Sequence, residues 1–333
     1  MCSSDLTRAG LIAATDVNAP LSTPAPSPAD RRGGRAALIV LTLGGLVTLA
    51  LEVNYIHLLA VAAGNSTYAF SLMLFSFLIG LGGGAEFGRR LLQRMSGLSV
   101  IAWLELALCI TILLSIRQID SLAEYFAVLG AYSVTYSWGA REVIRGLVCC
   151  LAMIPPAFLI GAIFPVAIDC VARGFSTRQI AMVGVASALN TVGNIAGVLI
   201  AGFVLLPWLG SYRSLIVLAL ITLGIAIYAI AASGHWRRIA PWLGVLVALA
   251  LFAKQPNSLD YDILTSGANV YFAKQNWGQV IDHAESLDGG LTSVNQTSYP
   301  GEHNVLTLAT IGKFQGKNVE SRDVVAQEDF LRA

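Results

Sequence analysis

IAMVGVASALNTVGNIAGVLIAGFVLLPWL, from Ile180 to Leu209, is an apolar run long enough to cross a lipid bilayer, and it decides the fold class of this chain. Because a helix rises about 1.5 Å per residue, roughly 20 apolar residues span a hydrocarbon core of about 30 Å. Water cannot satisfy backbone N–H and C=O groups at that depth, so such a run must be helical. The sequence therefore predicts an integral membrane protein.

Six further apolar runs on both sides of this stretch repeat the pattern. The segment 119–140, IDSLAEYFAVLGAYSVTYSWGA, is ambiguous, because its acidic start and its many Tyr and Ser residues suit either an eighth span or an amphipathic helix at the membrane surface. The sequence thus predicts an all-α polytopic membrane protein of seven or eight transmembrane helices. The seven clear spans are expected at about 36–63, 66–87, 98–116, 146–171, 180–208, 214–232 and 239–253.

The high apolar and low charged content of the chain indicates that the lipid bilayer is its main partner. Of the 333 residues, 56% are hydrophobic and 12% are charged, whereas soluble domains average about 25% charged residues. The formal net charge of +1 gives no reason to expect a nucleic-acid partner. The five cysteines have no spacing typical of a disulfide framework or a metal site, so no metal ligands are assigned.

Three regions follow from the distribution of these residues. Residues 1–35 are rich in Pro, Ser, Ala and Gly and are expected to be a disordered cytoplasmic tail. Residues 36–254 hold the apolar runs and are expected to form the transmembrane helical domain. Residues 255–333 are polar, with short alternating runs bounded by Gly, Asn and Pro, which predict β-strands joined by turns. We expect this β-rich region to be an incomplete domain.

The basic residues predict the orientation of the N-terminus. Whether or not 119–140 crosses the membrane, ten basic residues fall on one side and five on the other. The positive-inside rule places the N-terminus in the cytoplasm in both arrangements, and we expect a multi-pass protein of a bacterial inner membrane. The side of the C-terminus stays open. If 119–140 does not cross, the ten are Arg31, Arg32, Arg35, Arg89, Arg90, Arg94, Arg173, Arg178, Arg237 and Arg238.

Intramembrane carboxylates are the first candidate functional groups, and the runs contain Glu52, Glu86 and Glu105. A charge at membrane depth costs at least about 2.5–3.5 kcal/mol, so such a residue needs a partner or a function. Glu86 lies beside two arginines near a span end and suits an ion pair. Glu52 has Asn54 and His57 nearby, which is compatible with a proton relay or with a structural hydrogen bond to another helix. The partner of Glu105 cannot be named from the sequence.

Asparagines and glycines give a second pattern. Asn190 and Asn194 lie one helical turn apart, and they can either bond across a helix contact or line a substrate path. Small residues at a spacing of four let two helices approach closely, and helix packing is the simpler interpretation of the glycines. The glycines with this spacing are Gly80, Gly84, Gly88, Gly193 and Gly197.

The chain resembles the membrane-anchored spermidine synthase-like proteins, in which transporter-like helices are fused to a spermidine synthase domain. The resemblance covers about 36–333 and implies that 255–333 is the β-stranded start of an aminopropyltransferase domain. It depends on several segments in order: ALEVNYIHLLAVAAGNSTYAFSLMLFSFLIGLGGGAEFGRR, PPAFLIGAIFPVAI, ASALNTVGNIAGVLIAGFVLLPWLGSYRSL, LTSGANVYF, HAESLDGGLTSV and TIGKFQGKNVESRDVVAQEDF.

The chain departs from this family in the half that carries the chemistry. The glycine-rich loop, the ribose-binding acid and the catalytic aspartate of the family have no counterpart here, so no catalytic or cofactor-binding residue and no cofactor are assigned. The sequence therefore favours a membrane module that is not catalytic by itself and that pairs with a separate catalytic chain or with itself. Two alternatives stay open: a major-facilitator-like transporter or permease for a polyamine or another small solute, and a membrane scaffold for a partner protein.

Overall fold

The protein is a mostly helical bundle that carries a small antiparallel β-sheet near its C-terminus. The computed structural model describes residues 26–64, 66–93, 97–132, 137–234, 239–256, 258–285, 290–297 and 305–318. The tail residues 1–25 and the segment 319–333 lie outside the described residues. The long helices are α1 (Pro28–Ala63), α2 (Thr67–Leu91), α3 (Leu98–Gly130), α4 (Trp138–Gly174), α5 (Gln179–Ile200), α6 (Leu206–Ala232) and α7 (Ile239–Ala253).

Five helical stretches are long and apolar enough to cross a membrane, as expected for a membrane protein. They are Pro28–Ala63, Thr67–Leu91, Leu98–Ile119, Trp138–Gly174 and Ser176–Ala232. The last one has 57 residues and contains two of the spans expected from the sequence. The seventh expected span corresponds to a shorter apolar helix, Ala240–Ala253.

Helix α1 begins earlier than the sequence analysis expected. A capping box starts it: the Ser27 hydroxyl accepts from the Asp30 backbone N–H, and the Asp30 carboxylate accepts from the Ser27 N–H. Pro28 occupies the first turn, where its missing N–H costs nothing. Residues 28–35 are therefore helical, and assigning them to a disordered tail was wrong.

The ambiguous segment 119–140 is neither a separate span nor a separate surface helix over the part that the structure describes. Residues up to Gly130 continue α3, which has 33 residues and a length of about 50 Å. Helix α4 then returns antiparallel from Trp138. The end of α3 lies against the C-terminal region, because Lys274 Nζ is 2.9 Å from Glu124 Oε1.

The two ends of the bundle differ in what they hold. The end that we call the N-terminal face brings together Asp30 of α1, Gly97 before α3 and Arg173 of α4 around one cleft. The opposite end, the sheet face, holds the C-terminal region: Asn269 Nδ2 donates to the Val61 carbonyl at the end of α1, with 2.9 Å between the two atoms. The C-terminal sheet thus lies at the end of the bundle opposite to the start of α1.

Glycines on α2 and α5 face the backbones of neighbouring helices. A methyl group on Gly84 would collide with the Phe158 carbonyl oxygen of α4. A methyl group on Gly197 would collide with the Leu46 carbonyl oxygen of α1. Such contacts bring helix backbones close together, as small residues allow in membranes. The same kind of contact is made by Gly80, Gly88 and Gly193.

The described part of the C-terminal region contains two one-turn helices and four strands. The helices are α8 (Tyr261–Leu264) and α9 (Ala268–Tyr271), and the strands are β1 (Gln279–Glu285), β2 (Leu291–Thr297), β3 (Val305–Thr310) and β4 (Lys313–Lys317). The strands form one antiparallel sheet in the order β1-β2-β3-β4. In its register Ser293 pairs with Ala309, and both side chains are buried on the same face. Strands are therefore present in the alternating runs GQVIDHAES, GGLTSVNQT and NVLTLATIGKF, but the strand expected in GANVYFAK (267–274) was wrong, because this run contains α9.

Candidate functional site

The helices line a cavity of about 220 Å³ near the middle of the bundle, which we call the central cavity. Helices α1, α4 and α5 contribute most of its lining, and α2 and α3 complete it. Its position at mid-helix depth is typical of the solute sites of membrane proteins built from helix bundles. The lining residues are Val40, Leu41, Gly44, Val47, Thr48, Leu49, Leu81, Glu105, Leu108, Ile160, Gly161, Ile163, Phe164, Asn190 and Asn194.

Glu105 is the ionisable residue of the central cavity. Its side chain is 1% exposed, and it lies on α3 two turns after the helix begins. Among the residues that the structure describes, none forms a hydrogen bond or an ion pair with Glu105. A buried carboxyl group without a partner is costly at membrane depth, so Glu105 is a candidate functional residue.

Asn190 and Asn194 enter the cavity from α5, one turn apart. The Oδ1 atom of Asn194 is buried and accepts no hydrogen bond from any described residue. A methyl group on Gly45 would collide with the Asn190 backbone oxygen, so α1 and α5 are in close contact beside the cavity. The absence of a side chain at Gly45 therefore allows α1 to pack closely against α5 at this wall of the cavity.

The rest of the cavity is apolar, with one further hydroxyl. Thr48 lines it from α1, although its hydroxyl proton is donated to the Gly44 carbonyl at 2.7 Å. Aliphatic and aromatic side chains such as Ile160 and Phe164 form most of the remaining wall. A few polar groups in an apolar cavity are typical of a binding site for a small molecule.

A second polar cluster joins the bundle to the sheet, and it contains His57. The His57 Nδ1 atom lies 2.8 Å from Ser211 Oγ, and the Ser211 hydroxyl donates to Glu285 Oε2 at 2.6 Å. Because a hydroxyl has a single proton, His57 Nδ1–H is the donor to Ser211 Oγ. The Glu285 carboxylate also lies 3.9 Å from His57 Nδ1. The cluster therefore links α1, α6 and β1.

A break in α6 creates the position that Glu285 occupies. Gly210 has φ 71° and ψ 174°, a conformation that L side chains rarely adopt, and helical geometry restarts at Ser211. The Ser211 backbone N–H donates to Glu285 Oε2 at 2.8 Å. A carboxylate at the start of a helix is favoured by the helix dipole and by the unsatisfied N–H groups of its first turn. This contact holds β1 on the bundle.

The remaining candidates from the sequence lie apart from the cavity. Asn54 is buried, and its amide donates to the Ala50 carbonyl of its own helix at 2.9 Å. Glu52 is half-buried on α1 and does not line the central cavity. Glu86 accepts from Arg89 and Arg90 at 2.7 Å each, at the exposed end of α2. The structure thus unites Glu105, Asn190 and Asn194 and separates them from the group around Glu52.

The sequence analysis did not single out several residues that matter at these sites. Ser211 and Glu285 are 74 residues apart in the chain. Neither residue belongs to a local sequence motif that would indicate their contact. Arg145 donates to the Asn269 carbonyl at 2.9 Å and adds a further link between the bundle and the C-terminal region. Within the described residues, no group of three or more His, Cys, Asp and Glu side chains is placed to hold a metal ion.

Comparisons of this chain with known protein families, with curated proteins and with solved structures found no match.

Proposed function

We propose that this chain is a membrane protein of transporter type, which takes a small solute into the central cavity of its helix bundle. One observation carries the proposal: Glu105, Asn190 and Asn194, from two helices, line one cavity whose other walls are mostly apolar. Buried polar groups that lack partners in the protein are the groups that a bound solute would satisfy.

The proposed bundle crosses the bilayer seven times, which leaves its two faces on opposite sides. Support comes from the break at Gly210, which divides the stretch Ser176–Ala232 into two crossings, and from the short apolar helix α7. We place the N-terminal face in the cytoplasm by the positive-inside rule. The described arginines on that face are Arg31, Arg32, Arg35, Arg89, Arg90, Arg173 and Arg178.

The proposed orientation favours one of two candidate functions, because it determines the side of the membrane on which the C-terminal sheet lies. As a second candidate, the chain is the membrane module of a spermidine synthase-like protein whose catalytic half is a separate chain. The antiparallel strands β1–β4, which follow the bundle, favour that candidate. The aminopropyl donor of that family is a cytosolic metabolite, however, and the proposed orientation puts the sheet on the other side. Solute binding by the bundle is therefore the better supported function.

Access from water tests the proposal without knowledge of the solute. Thr48→Cys would be introduced into a chain whose native cysteines are replaced, and its reaction with hydroxyethyl methanethiosulfonate, a small neutral thiol reagent, would be followed in proteoliposomes. We expect labelling of Thr48→Cys, since a solute path must open to water. Leu220→Cys, on an exposed part of α6 in the membrane, is the matched control and should stay unlabelled. If the reagent labelled neither cysteine, the result would count against a solute path.

A further inference from the structure

We propose that the solute of the central cavity is a small organic cation, with its ammonium group bound between Glu105 and Asn194. The inference rests on the proposed function and adds the chemical class of the solute. Both acceptors line the same cavity of about 220 Å³.

The charge of the cavity favours a cation. Glu105 is the ionisable residue of the lining, and the described residues around the cavity include no lysine, arginine or histidine. At 1% exposure, an ionised Glu105 would have lost its hydration, and none of the described residues forms a hydrogen bond to it. A bound cation would supply the missing counter-charge, whereas an anion would add a second negative charge in a low-dielectric site.

The hydrogen-bonding groups favour a ligand that donates. Asn194 Oδ1 is a buried acceptor without a donor among the described residues. Glu105, when ionised, also has only acceptor oxygens. A protonated primary amine carries three N–H donors and can satisfy both residues at once. A neutral acceptor, such as a ketone, would leave both of them unsatisfied.

The walls favour an organic cation over a metal ion. Hard cations such as Ca²⁺ take six to eight oxygen ligands, and Mg²⁺ takes about six. The side chains with oxygen atoms in the lining are those of Thr48, Glu105, Asn190 and Asn194. Most of the other lining side chains, Val40, Leu41 and Ile163 among them, are aliphatic. These side chains would pack against an alkyl chain, but they have no atoms that could coordinate a metal ion.

Binding of n-butylammonium to the purified full-length chain in lipid nanodiscs tests the proposal by isothermal titration calorimetry. We expect one saturable site for n-butylammonium and at least tenfold weaker binding of n-butanol, which has a similar shape without the charge. Glu105→Gln should weaken n-butylammonium binding at least tenfold, and Asn194→Leu should weaken it several-fold. Glu52→Gln, an intramembrane carboxylate outside the cavity, is the matched control and should bind as the unaltered chain does.

Three results would overturn the proposal: unchanged affinity in Glu105→Gln, equal affinity for n-butanol and n-butylammonium, or stronger binding of K⁺ than of n-butylammonium. If Thr48→Cys reacts with the thiol reagent while n-butylammonium fails to bind, the solute path stands and the cation assignment fails. If Thr48→Cys does not react, the proposed function itself fails. Should Glu105→Gln not fold, the Asn194→Leu variant decides the outcome.

Discussion

Ser211 Oγ and His57 Nδ1 lie 2.8 Å apart, so the restart of α6 is bonded directly to α1 beneath the C-terminal sheet. Glu285 of β1 completes this contact by accepting from both the hydroxyl and the backbone N–H of Ser211. The bundle and the sheet therefore share a partly buried, charge-assisted hydrogen-bond cluster. Such bonds are stronger than neutral ones and fix the geometry of the groups that they join.

The first prediction concerns this attachment of the sheet. Glu285→Gln should weaken it, because a hydrogen bond to a charged group contributes about 1.5–3 kcal/mol. Limited proteolysis of the full chain in nanodiscs should then cleave the region 258–318 several-fold faster. Glu124→Gln removes the pair with Lys274, in which both side chains are about half exposed, and serves as the control. Such exposed pairs contribute about 0–1 kcal/mol, so equal cleavage of both variants would contradict the account.

The second prediction concerns the close contact of α2 with α4. Gly84→Ala places a methyl group against the Phe158 carbonyl oxygen, so the two helices must separate and the melting temperature should fall. Gly82→Ala on the same helix meets open space. It should leave the melting temperature unchanged or raise it, because alanine favours a helix over glycine by about 1 kcal/mol. Equal effects of the two variants would show that the contact contributes nothing.

The third prediction separates a functional role of Glu105 from a structural one. Glu105→Leu removes a buried carboxyl group that has no described partner, and it adds apolar surface to a mostly apolar cavity. The melting temperature of the ligand-free chain in nanodiscs should therefore rise, since an unpaired buried polar group opposes folding. A clear fall in the melting temperature would mean that Glu105 holds the bundle together.

The fourth prediction concerns the sides of the membrane. A reporter enzyme that is active only outside the cytoplasm, fused after Ala333, should be active. The same reporter inserted directly before Gly97 should be inactive, because Gly97 lies on the N-terminal face. Activity of the second fusion alone would reverse the proposed orientation and would restore the spermidine synthase-like candidate to first place.

The sequence alone was sufficient to predict a mostly helical protein with membrane-length apolar helices and to place those helices approximately. Runs such as 180–209 have no other stable state in lipid than a helix, so composition alone decides them. The start of α1 was missed, although Ser27 and Asp30 form a recognisable capping box before the apolar run.

The arrangement of the candidate site was less accessible to sequence reasoning. Glu105, Asn190 and Asn194 were each recognised as polar residues in apolar runs, but their shared cavity depends on how α3 and α5 pack around α1. The pairing of Ser211 with Glu285 joins residues 74 positions apart in the chain and depends on the break at Gly210. No local spacing rule could have predicted such tertiary contacts.

Protection of Thr48→Cys by a ligand tests the central claim most directly. In proteoliposomes, n-butylammonium should slow the reaction of this cysteine with the neutral thiol reagent several-fold, and n-butanol should not. The same measurement in a chain that also carries Glu105→Gln should show no protection. Labelling that is unaffected by n-butylammonium, or slowed equally in the Glu105→Gln chain, would contradict a cation site in the central cavity.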